Sequence, residues 1–307
     1  MQVCGRFAPS PSGRMHLGNA ASALAAWLSA RSQGGKMVFR IEDIDTARCR
    51  PEYARQLADD LRWMGLDWDE GGDVPGYRQS GRAAVYEDAL ARIARQVKVY
   101  PCWCTRAELH AASAPHASDG TPLYSGRCRG LSDEERAARA GRPAALRVEV
   151  PDETITWTDG HYGPQKENLA RECGDFVLRR SDGLWAYQLA VTADDAAMGV
   201  TEVVRGRDLL GSTARQIWLH RLLGHEPPRY CHLPLLTAPD GRRLSKRERD
   251  LDLGALRARY SAPELVGRIA AMLGIGDGSP AEPRDLIPLF SWDKIPRQDI
   301  VVPPGLM

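Results

Sequence analysis

Residues 6–19, RFAPSPSGRMHLGN, decide how this chain begins to fold. Residues 3–7 predict a short buried strand, and the proline, serine and glycine residues that follow predict a tight turn. From Leu17 onward, apolar residues recur at helical spacing. The stretch therefore predicts a strand, a turn and a helix in succession, with His16 where the turn passes into the helix.

The same alternation continues beyond this stretch. Residues 36–41 predict a second buried strand and residues 51–64 a second helix, which is the order of a parallel sheet with crossover helices. We therefore expect an α/β fold. Changes in composition divide the chain into the first half of a sheet domain (1–100), an insertion (101–175), the second half of that domain (176–238), and a basic loop with a helical stem (239–307).

Further elements are predicted inside these segments. Strand patterns occur at residues 146–150, 154–158, 176–178 and 201–204. The first two alternate like paired strands, and the last two are expected to return to the sheet. Ser212 is the expected cap of a helix over residues 212–223, and Ser261 opens a capping box with Glu264.

The composition is that of an ordinary globular protein. Of 307 residues, 43% are hydrophobic and 26% charged, and 41 Lys and Arg nearly balance 40 Asp and Glu. This balance argues against a protein that coats nucleic acid by charge alone. The N-terminus lacks a secretory signal pattern and no apolar stretch approaches bilayer length. We expect a cytoplasmic monomer without a membrane partner.

Two separated segments indicate a nucleotide site. His16 can donate to a phosphate oxygen, and Gly18 allows the helix backbone to approach a ligand closely. In residues 242–247, RRLSKR, Lys246 can meet a leaving pyrophosphate from the other side. Alone, the first segment is a common chance match and the second is usually a solvated basic loop. Their order, spacing and strand–turn–helix context favour triphosphate binding.

Three segments of the chain resemble the glutamyl/glutaminyl branch of the class I aminoacyl-tRNA synthetases. They are residues 5–13, the His-Leu-Gly sequence that starts at His16, and residues 40–45 (RIEDID). The resemblance implies a Rossmann-like catalytic domain that makes an aminoacyl-adenylate from ATP with Mg²⁺. It implies that His16 and Lys246 are catalytic. It also implies ATP contacts at Ser12, His16, Gly18, Asn19, Arg243, Ser245 and Lys246.

Two of these positions depart from the signatures of that branch. Asn19 stands where the first signature ends in a second His, and Arg243 stands where the basic loop opens with Lys. Asn19 can still hydrogen-bond to ATP, and Arg243 keeps the charge in a bulkier, planar form. We expect activity to survive both replacements.

A glutamate substrate has two carboxylates and an ammonium, so its pocket needs both cations and an anion. Arg6 and Arg205 are candidate cations because a guanidinium matches a carboxylate bidentately, and Glu42 is the candidate partner of the ammonium. The same side chains could instead form surface ion pairs and a strand-end charge. The resemblance implies glutamate contacts at Arg6, Phe7, Ala8, Pro9, Ser10, Glu42, Tyr187 and Arg205. The adjacent carboxylates of residues 194–195 are predicted to be solvated turn residues rather than a magnesium site.

Three of the seven cysteines cluster in the segment with the least periodicity. Cys102, Cys104 and Cys128 offer three thiolates, and the odd total favours a metal site in a reducing compartment over disulfides. Cys102 and Cys104 would point the same way on one strand. His110 or His116 could complete a zinc site, or the cysteines could be small buried apolar residues.

Short members of the resembled branch hold zinc with Cys-x-Cys and Tyr-x-x-x-Cys. This implies that Cys102, Cys104, Tyr124 and Cys128 hold one structural zinc ion. Those members lack an anticodon-binding domain, and this chain too is expected to have room only for a stem after Lys246.

The acceptor follows from the same resemblance. It implies transfer of L-glutamate to queuosine, a modified base in the anticodon loop of tRNA(Asp), with Arg127, Arg129 and residues 240–249 as candidate phosphate contacts. One alternative is a truncated synthetase that charges the 3′-terminal ribose. Another is a non-catalytic descendant that binds glutamate or ATP.

Overall fold

The computed structural model describes residues 2–109, 120, 123–238, 241, 251–303 and 306, and its fold is α/β. The helices are α1 (Leu17–Ser32), α2 (Pro51–Trp63), α3 (Ala83–Ala94), α4 (Arg106–Leu109), α5 (Asp133–Ala137), α6 (Tyr187–Ala197), α7 (Thr213–Leu222), α8 (Leu253–Arg259), α9 (Ala262–Met272) and α10 (Pro283–Leu286). The strands are β1 (Cys4–Phe7), β2 (Lys36–Phe39), β3 (Glu70–Gly71), β4 (Val99–Cys102), β5 (Ala145–Val148), β6 (Thr154–Asp159), β7 (Gly163–Asn168), β8 (Phe176–Arg179), β9 (Glu202–Gly206), β10 (Arg229–Leu233), β11 (Leu236–Thr237) and β12 (Ile300–Val301).

Parallel strands form the centre of the fold. β1 pairs with β2 and β2 with β3, while β9 pairs with β10, and all these pairings are parallel. Thr201 joins the two groups, because its N–H donates to the Cys4 carbonyl at 2.9 Å and its hydroxyl accepts from the Cys4 N–H at 2.8 Å. β9 therefore lies beside β1, and the parallel pairings within β1–β3 and between β9 and β10 confirm the predicted parallel strands with crossover helices.

Helix α1 supplies the main core against this sheet. Leu17, Leu24 and Leu28 are fully buried on it and pack in one cluster with Met37 of β2. Each such leucine contributes about 1.5–3 kcal/mol by leaving water. The helix ends where Gly34 adopts a φ of +63°, a conformation that favours glycine. The strand–turn–helix prediction is thus confirmed.

Two strands predicted in the insertion are present, but the prediction that they pair with each other is wrong. β5 and β6 do not pair with each other: β5 lies between β4 and β8 in an antiparallel sheet, and β6 forms a hairpin with β7. β8 therefore does not return to the parallel sheet, whereas β9 does. The sequence of β7, GPQKEN, is polar and hides its partnership with β6.

Two helix starts can be compared with their predicted caps. Ser212 stands at the N-cap of α7, but its hydroxyl accepts from Gln188 instead of capping the helix. The capping box at α9 is confirmed, since the Ser261 N–H donates to the Glu264 carboxylate at 2.8 Å. Among the helices of the described part, none combines the length and apolar character needed to cross a bilayer. The domain boundaries stay a prediction.

Candidate active site

A cavity of about 550 Å³ lies where β1, β9 and β10 end and α1 begins. Twelve of the sequence-predicted contact residues line it: Arg6, Phe7, Ala8, Pro9, Ser10, Ser12, His16, Gly18, Asn19, Glu42, Tyr187 and Arg205. Segments far apart in the chain therefore meet around one space. Arg243, Ser245 and Lys246 lie outside the described residues.

His16 is the N-cap of α1. Its Nδ1 accepts from the Gly18 N–H at 3.1 Å, so the neutral imidazole carries its proton on Nε2. A Cβ at position 18 would lie 3.1 Å from Cε1 of His16 and 3.2 Å from its Nδ1. Gly18 thus makes room for the imidazole as well as for a ligand. The geometry gives a hydrogen-bond donor, Nε2–H, at the wall of the cavity.

Asn19 completes this helix start. Its Oδ1 accepts from the His16 N–H at 3.3 Å, which closes a capping box at the third residue of α1. The Asn19 amide nitrogen makes no hydrogen bond to any described residue and is on the cavity lining. The departure from the signature therefore supports the helix locally and leaves a donor for a ligand.

A buried charge network surrounds Glu42, which lines the cavity. The fully buried Arg40 pairs with Asp195 at 2.7 Å and with Glu42 at 2.9 Å. The other oxygen of Glu42 has no hydrogen-bond partner among the described residues. Burial raises the pKa of Glu42, although Arg40 opposes that shift. Glu42 thus has one fixed oxygen and one available for a cationic group.

Arg6 has the larger unused donor capacity of the two predicted cations. Its side chain is buried and gives one hydrogen bond to a described residue, the Val204 carbonyl at 3.1 Å. Its buried Nε has no hydrogen-bond partner among the described residues and lies 3.7 Å from Asp195. Burial lowers the pKa of Arg6, but a guanidinium stays charged in this range.

The prediction that residues 194–195 are solvated is wrong. Asp194 and Asp195 lie within α6 and are 0% and 2% exposed, and Arg82 donates to Asp194 at 2.6 Å. Burial alone would raise the pKa of Asp195, but Arg40 and Arg6 lower it below its ordinary value. These carboxylates neutralise the arginines behind the pocket, a role that adjacent acidic residues in a sequence do not reveal.

Most hydrogen-bond donors of the Arg205 guanidinium are already engaged by the protein. Four of its donor contacts are fixed at 2.7–3.1 Å on His232 Nε2, Gln216 Oε1, Thr213 Oγ1 and the Leu209 carbonyl. The fifth reaches the Tyr187 hydroxyl at 3.4 Å, a long contact at the cavity wall. A ligand carboxylate could accept one hydrogen bond from this last N–H and one from the Tyr187 hydroxyl. This arrangement differs from the bidentate contact with the guanidinium that was expected of Arg205.

The predicted metal ligands come together at a second place. The sulfurs of Cys102, Cys104 and Cys128 lie within 4.8 Å of one another. Cys102 ends β4 and Cys104 follows the strand, so the expectation that one strand carries both is wrong. The Tyr124 hydroxyl lies 3.5 Å from Cys102 Sγ and 3.9 Å from Cys104 Sγ.

These distances suit the tetrahedral coordination of a metal ion. Ligand lengths of about 2.3 Å for sulfur and about 2.0 Å for oxygen imply about 3.8 Å between two sulfurs and about 3.5 Å between sulfur and oxygen. Cys104 and Cys128 are 3.6 Å apart. The Tyr124 oxygen also accepts from the Cys128 N–H at 2.7 Å, and the Arg147 guanidinium lies 4.0 Å from the centre of its ring. The Cys128 N–H favours negative charge on that oxygen, while burial raises the pKa of the Tyr124 hydroxyl. His110 and His116 lie outside the described residues.

Comparison with known proteins defines the class first. Residues 2–282 match the family model described as tRNA synthetases class I (E and Q), catalytic domain. The chain therefore belongs to the class I tRNA synthetases of the E and Q group, as the signature segments predicted.

Similarity within that family is more specific. The chain is 53% identical to a glutamyl-Q tRNA(Asp) synthetase of Symbiobacterium thermophilum, over 98% of this chain and 96% of the relative. It is 48% identical to the protein of the same name in Nitratidesulfovibrio vulgaris, over 99% and 97%. Among solved structures, a glutamate tRNA ligase from Elizabethkingia meningosepticum, in complex with its amino acid, superposes with a TM-score of 0.83 at 28% identity. That match covers all of this chain and 68% of the ligase.

Proposed function

We propose that this protein activates L-glutamate with ATP and transfers the glutamyl group to queuosine in tRNA(Asp). The observation that carries the proposal is that His16, Arg6, Glu42 and Arg205 line one and the same cavity. The names of the two curated relatives support the choice of acceptor.

The residues of the cavity suggest how activation proceeds. Glu42 holds the ammonium of glutamate with its available oxygen, while Arg6 and the Arg205–Tyr187 pair bind carboxylates. The α-carboxylate oxygen then attacks the α-phosphorus of ATP, and the bond from that phosphorus to the bridging oxygen breaks to release pyrophosphate. His16 Nε2–H stabilises the charge that develops on the phosphate oxygens.

The outer phosphates require cations in addition to His16. We propose that Lys246 and Arg243 supply this charge, that Ser245 also contacts ATP, and that Mg²⁺ accompanies ATP, as the family signature implies. In the second step, the queuosine hydroxyl attacks the adenylate carbonyl and AMP departs. Positioning of that hydroxyl supplies much of the rate, because the carbonyl is already activated.

Two assays test the proposal in sequence. Glutamate-dependent ATP–pyrophosphate exchange reports activation, and a protein that only binds its ligands would show none. Transfer of radiolabelled glutamate is then compared between tRNA(Asp) with and without queuosine. Equal charging of both would support a truncated synthetase acting on the terminal ribose and would overturn the proposed acceptor.

We also propose that Cys102, Cys104, Tyr124 and Cys128 hold one structural zinc ion, because the four donor atoms fit its geometry. Replacement Tyr124→Phe should lower the zinc content of the purified protein from one ion per chain to well below one. Tyr100→Phe is the matched control, since Tyr100 lies in the same small core but donates to Asp175. Full zinc content in Tyr124→Phe would remove this residue from the ligand set.

The remaining expectations complete the proposal. tRNA substrates favour a cytoplasmic location, and a monomer is sufficient because the cavity is built from one chain. Arg127 and Arg129 are exposed on the segment beside the cysteine cluster, where they could meet tRNA phosphates.

A further inference from the structure

A line of hydrogen bonds runs from the cavity into the interior of the protein. The Nε of Arg205 lies 3.0 Å from His232 Nε2, and His232 Nδ1 lies 2.6 Å from an oxygen of Asp159. His232 and Asp159 are 0% and 2% exposed. Neither is among the residues that line the cavity, so neither is in position to touch glutamate.

Chemistry fixes the protonation of this line. Arg205 Nε can only donate, so His232 Nε2 must accept and carries no proton. The proton of the imidazole is therefore on Nδ1, where it donates to the Asp159 carboxylate. Burial lowers the pKa of His232, which is consistent with a neutral ring between these two groups.

The fold holds all three groups in register. Arg205 on β9 and His232 on β10 are direct partners across the parallel pair. Asp159 ends β6, and the next residue, Gly160, donates its N–H to the Tyr230 carbonyl of β10 at 2.8 Å. The other carboxylate oxygen of Asp159 accepts hydrogen bonds from the backbone N–H groups of His161 and Tyr162. The carboxylate is thus immobilised by the chain around it.

We propose that Asp159 and His232 are positioning residues that set the orientation of the Arg205 guanidinium for the substrate carboxylate. The inference rests on the proposed function, because it assigns Arg205 to glutamate. The inference adds two residues outside the cavity to that site. Through Asp159, the β6–β7 hairpin determines how well the sheet domain binds the amino acid.

The replacement Asp159→Asn tests the protonation directly. An asparagine keeps an oxygen for the two backbone N–H groups but presents its NH₂ to His232 Nδ1. The imidazole must then place its proton on Nε2, where it faces the Nε–H of Arg205 at 3.0 Å. Two donors repel, so the guanidinium should shift away from its site.

We expect the KM for glutamate in pyrophosphate exchange to rise at least tenfold in Asp159→Asn, with the KM for ATP within twofold of wild type. His232→Gln, which keeps an acceptor near the Nε2 position, should raise the glutamate KM less than threefold. His232→Asn, which keeps only the donor to Asp159, should resemble Asp159→Asn. Tyr230→Phe is the control, because it preserves the buried ring packed against Arg205.

A purely structural role predicts something else. Loss of folded protein would lower the apparent kcat and leave both KM values unchanged. A glutamate KM within threefold of wild type in folded Asp159→Asn would overturn the proposal. If that variant does not fold, equal glutamate KM values for His232→Gln and His232→Asn would overturn it.

The proposal can also be tested without activity. ¹⁵N NMR of the imidazole should show the Nδ1–H tautomer of His232 in the wild type. An Nε2–H tautomer there would refute the proposed line of hydrogen bonds. If the wild type shows no glutamate-dependent exchange, the proposed function fails, while the NMR result still decides the hydrogen-bond line.

Discussion

Arg40 offers the sharpest test of how the pocket is supported. The guanidinium is fully buried and pairs with Asp195 at 2.7 Å and with Glu42 at 2.9 Å, while Asp194 lies 3.7 Å away. Replacement Arg40→Met keeps much of the volume but leaves these carboxylates without their shared cation. Removing one partner of a buried ion pair costs about 3–5 kcal/mol, because the remaining charge is uncompensated.

The chain contains a matched control for this experiment. Arg31 also pairs with two carboxylates at similar distances, Asp67 at 2.7 Å and Asp69 at 2.8 Å, but those partners are 50% and 43% exposed. Water can replace the lost cation there, so Arg31→Met should cost no more than about 1 kcal/mol. The two variants differ mainly in burial.

Urea unfolding followed by circular dichroism measures both effects. With a slope near 3 kcal/mol per molar, Arg40→Met should lower the midpoint by about 1–2 M and Arg31→Met by a few tenths of a molar. Glutamate binding should also weaken in Arg40→Met, because Glu42 loses the cation that keeps it ionised. Equal midpoints in the two variants would refute the view that burial sets the magnitude.

Three further outcomes are expected. His16→Asn should keep the helix cap but lose the Nε2 donor, so its kcat in pyrophosphate exchange should fall about 10²–10³-fold while its urea midpoint stays near wild type; an unchanged kcat would remove His16 from catalysis. Glutamate KM should rise as the solution becomes mildly acidic, because protonation at the raised pKa of Glu42 abolishes its attraction for the ammonium, and Glu42→Gln should show a high, nearly pH-independent KM. Arg40, Arg6 and Asp195 face the same carboxylate, and of these only Asp195 can change its charge in acid, so a pH profile that is unchanged in Glu42→Gln would remove Glu42 as the titrating group and point to Asp195. Transfer to tRNA should weaken steeply with salt while pyrophosphate exchange changes little, since only the former depends on many phosphate contacts; parallel salt curves would contradict this.

Local patterns explain why much of the cavity lining could be predicted. The residues from Arg6 to Asn19 form a strand, a turn and a helix start that follow one another in the chain, and the cavity lies along them. Helical spacing and turn residues suffice to place such a segment. The clustering of Cys102, Cys104 and Cys128 could also be predicted, because the three cysteines belong to one short stretch, whereas Tyr124 was predicted only from the family resemblance.

The support of the pocket could not be predicted in this way. Arg40 and Asp195 are 155 positions apart, and Asp159 and His232 are 73 positions apart. Nothing in either local sequence indicates that such side chains are buried or which partner they meet. For the same reason, the residues beside Arg205 in the chain gave no sign that its donors were already engaged by the protein.

The contact between His16 and Gly18 has a consequence for engineering this motif. A Cβ at position 18 would meet the edge of the ring at 3.1 Å, so even alanine would require the imidazole to move by a few tenths of an ångström. We therefore expect a library randomised at position 18 alone to favour glycine, whereas one that varies positions 16 and 18 together could recover smaller capping residues that lack the Nε2–H donor.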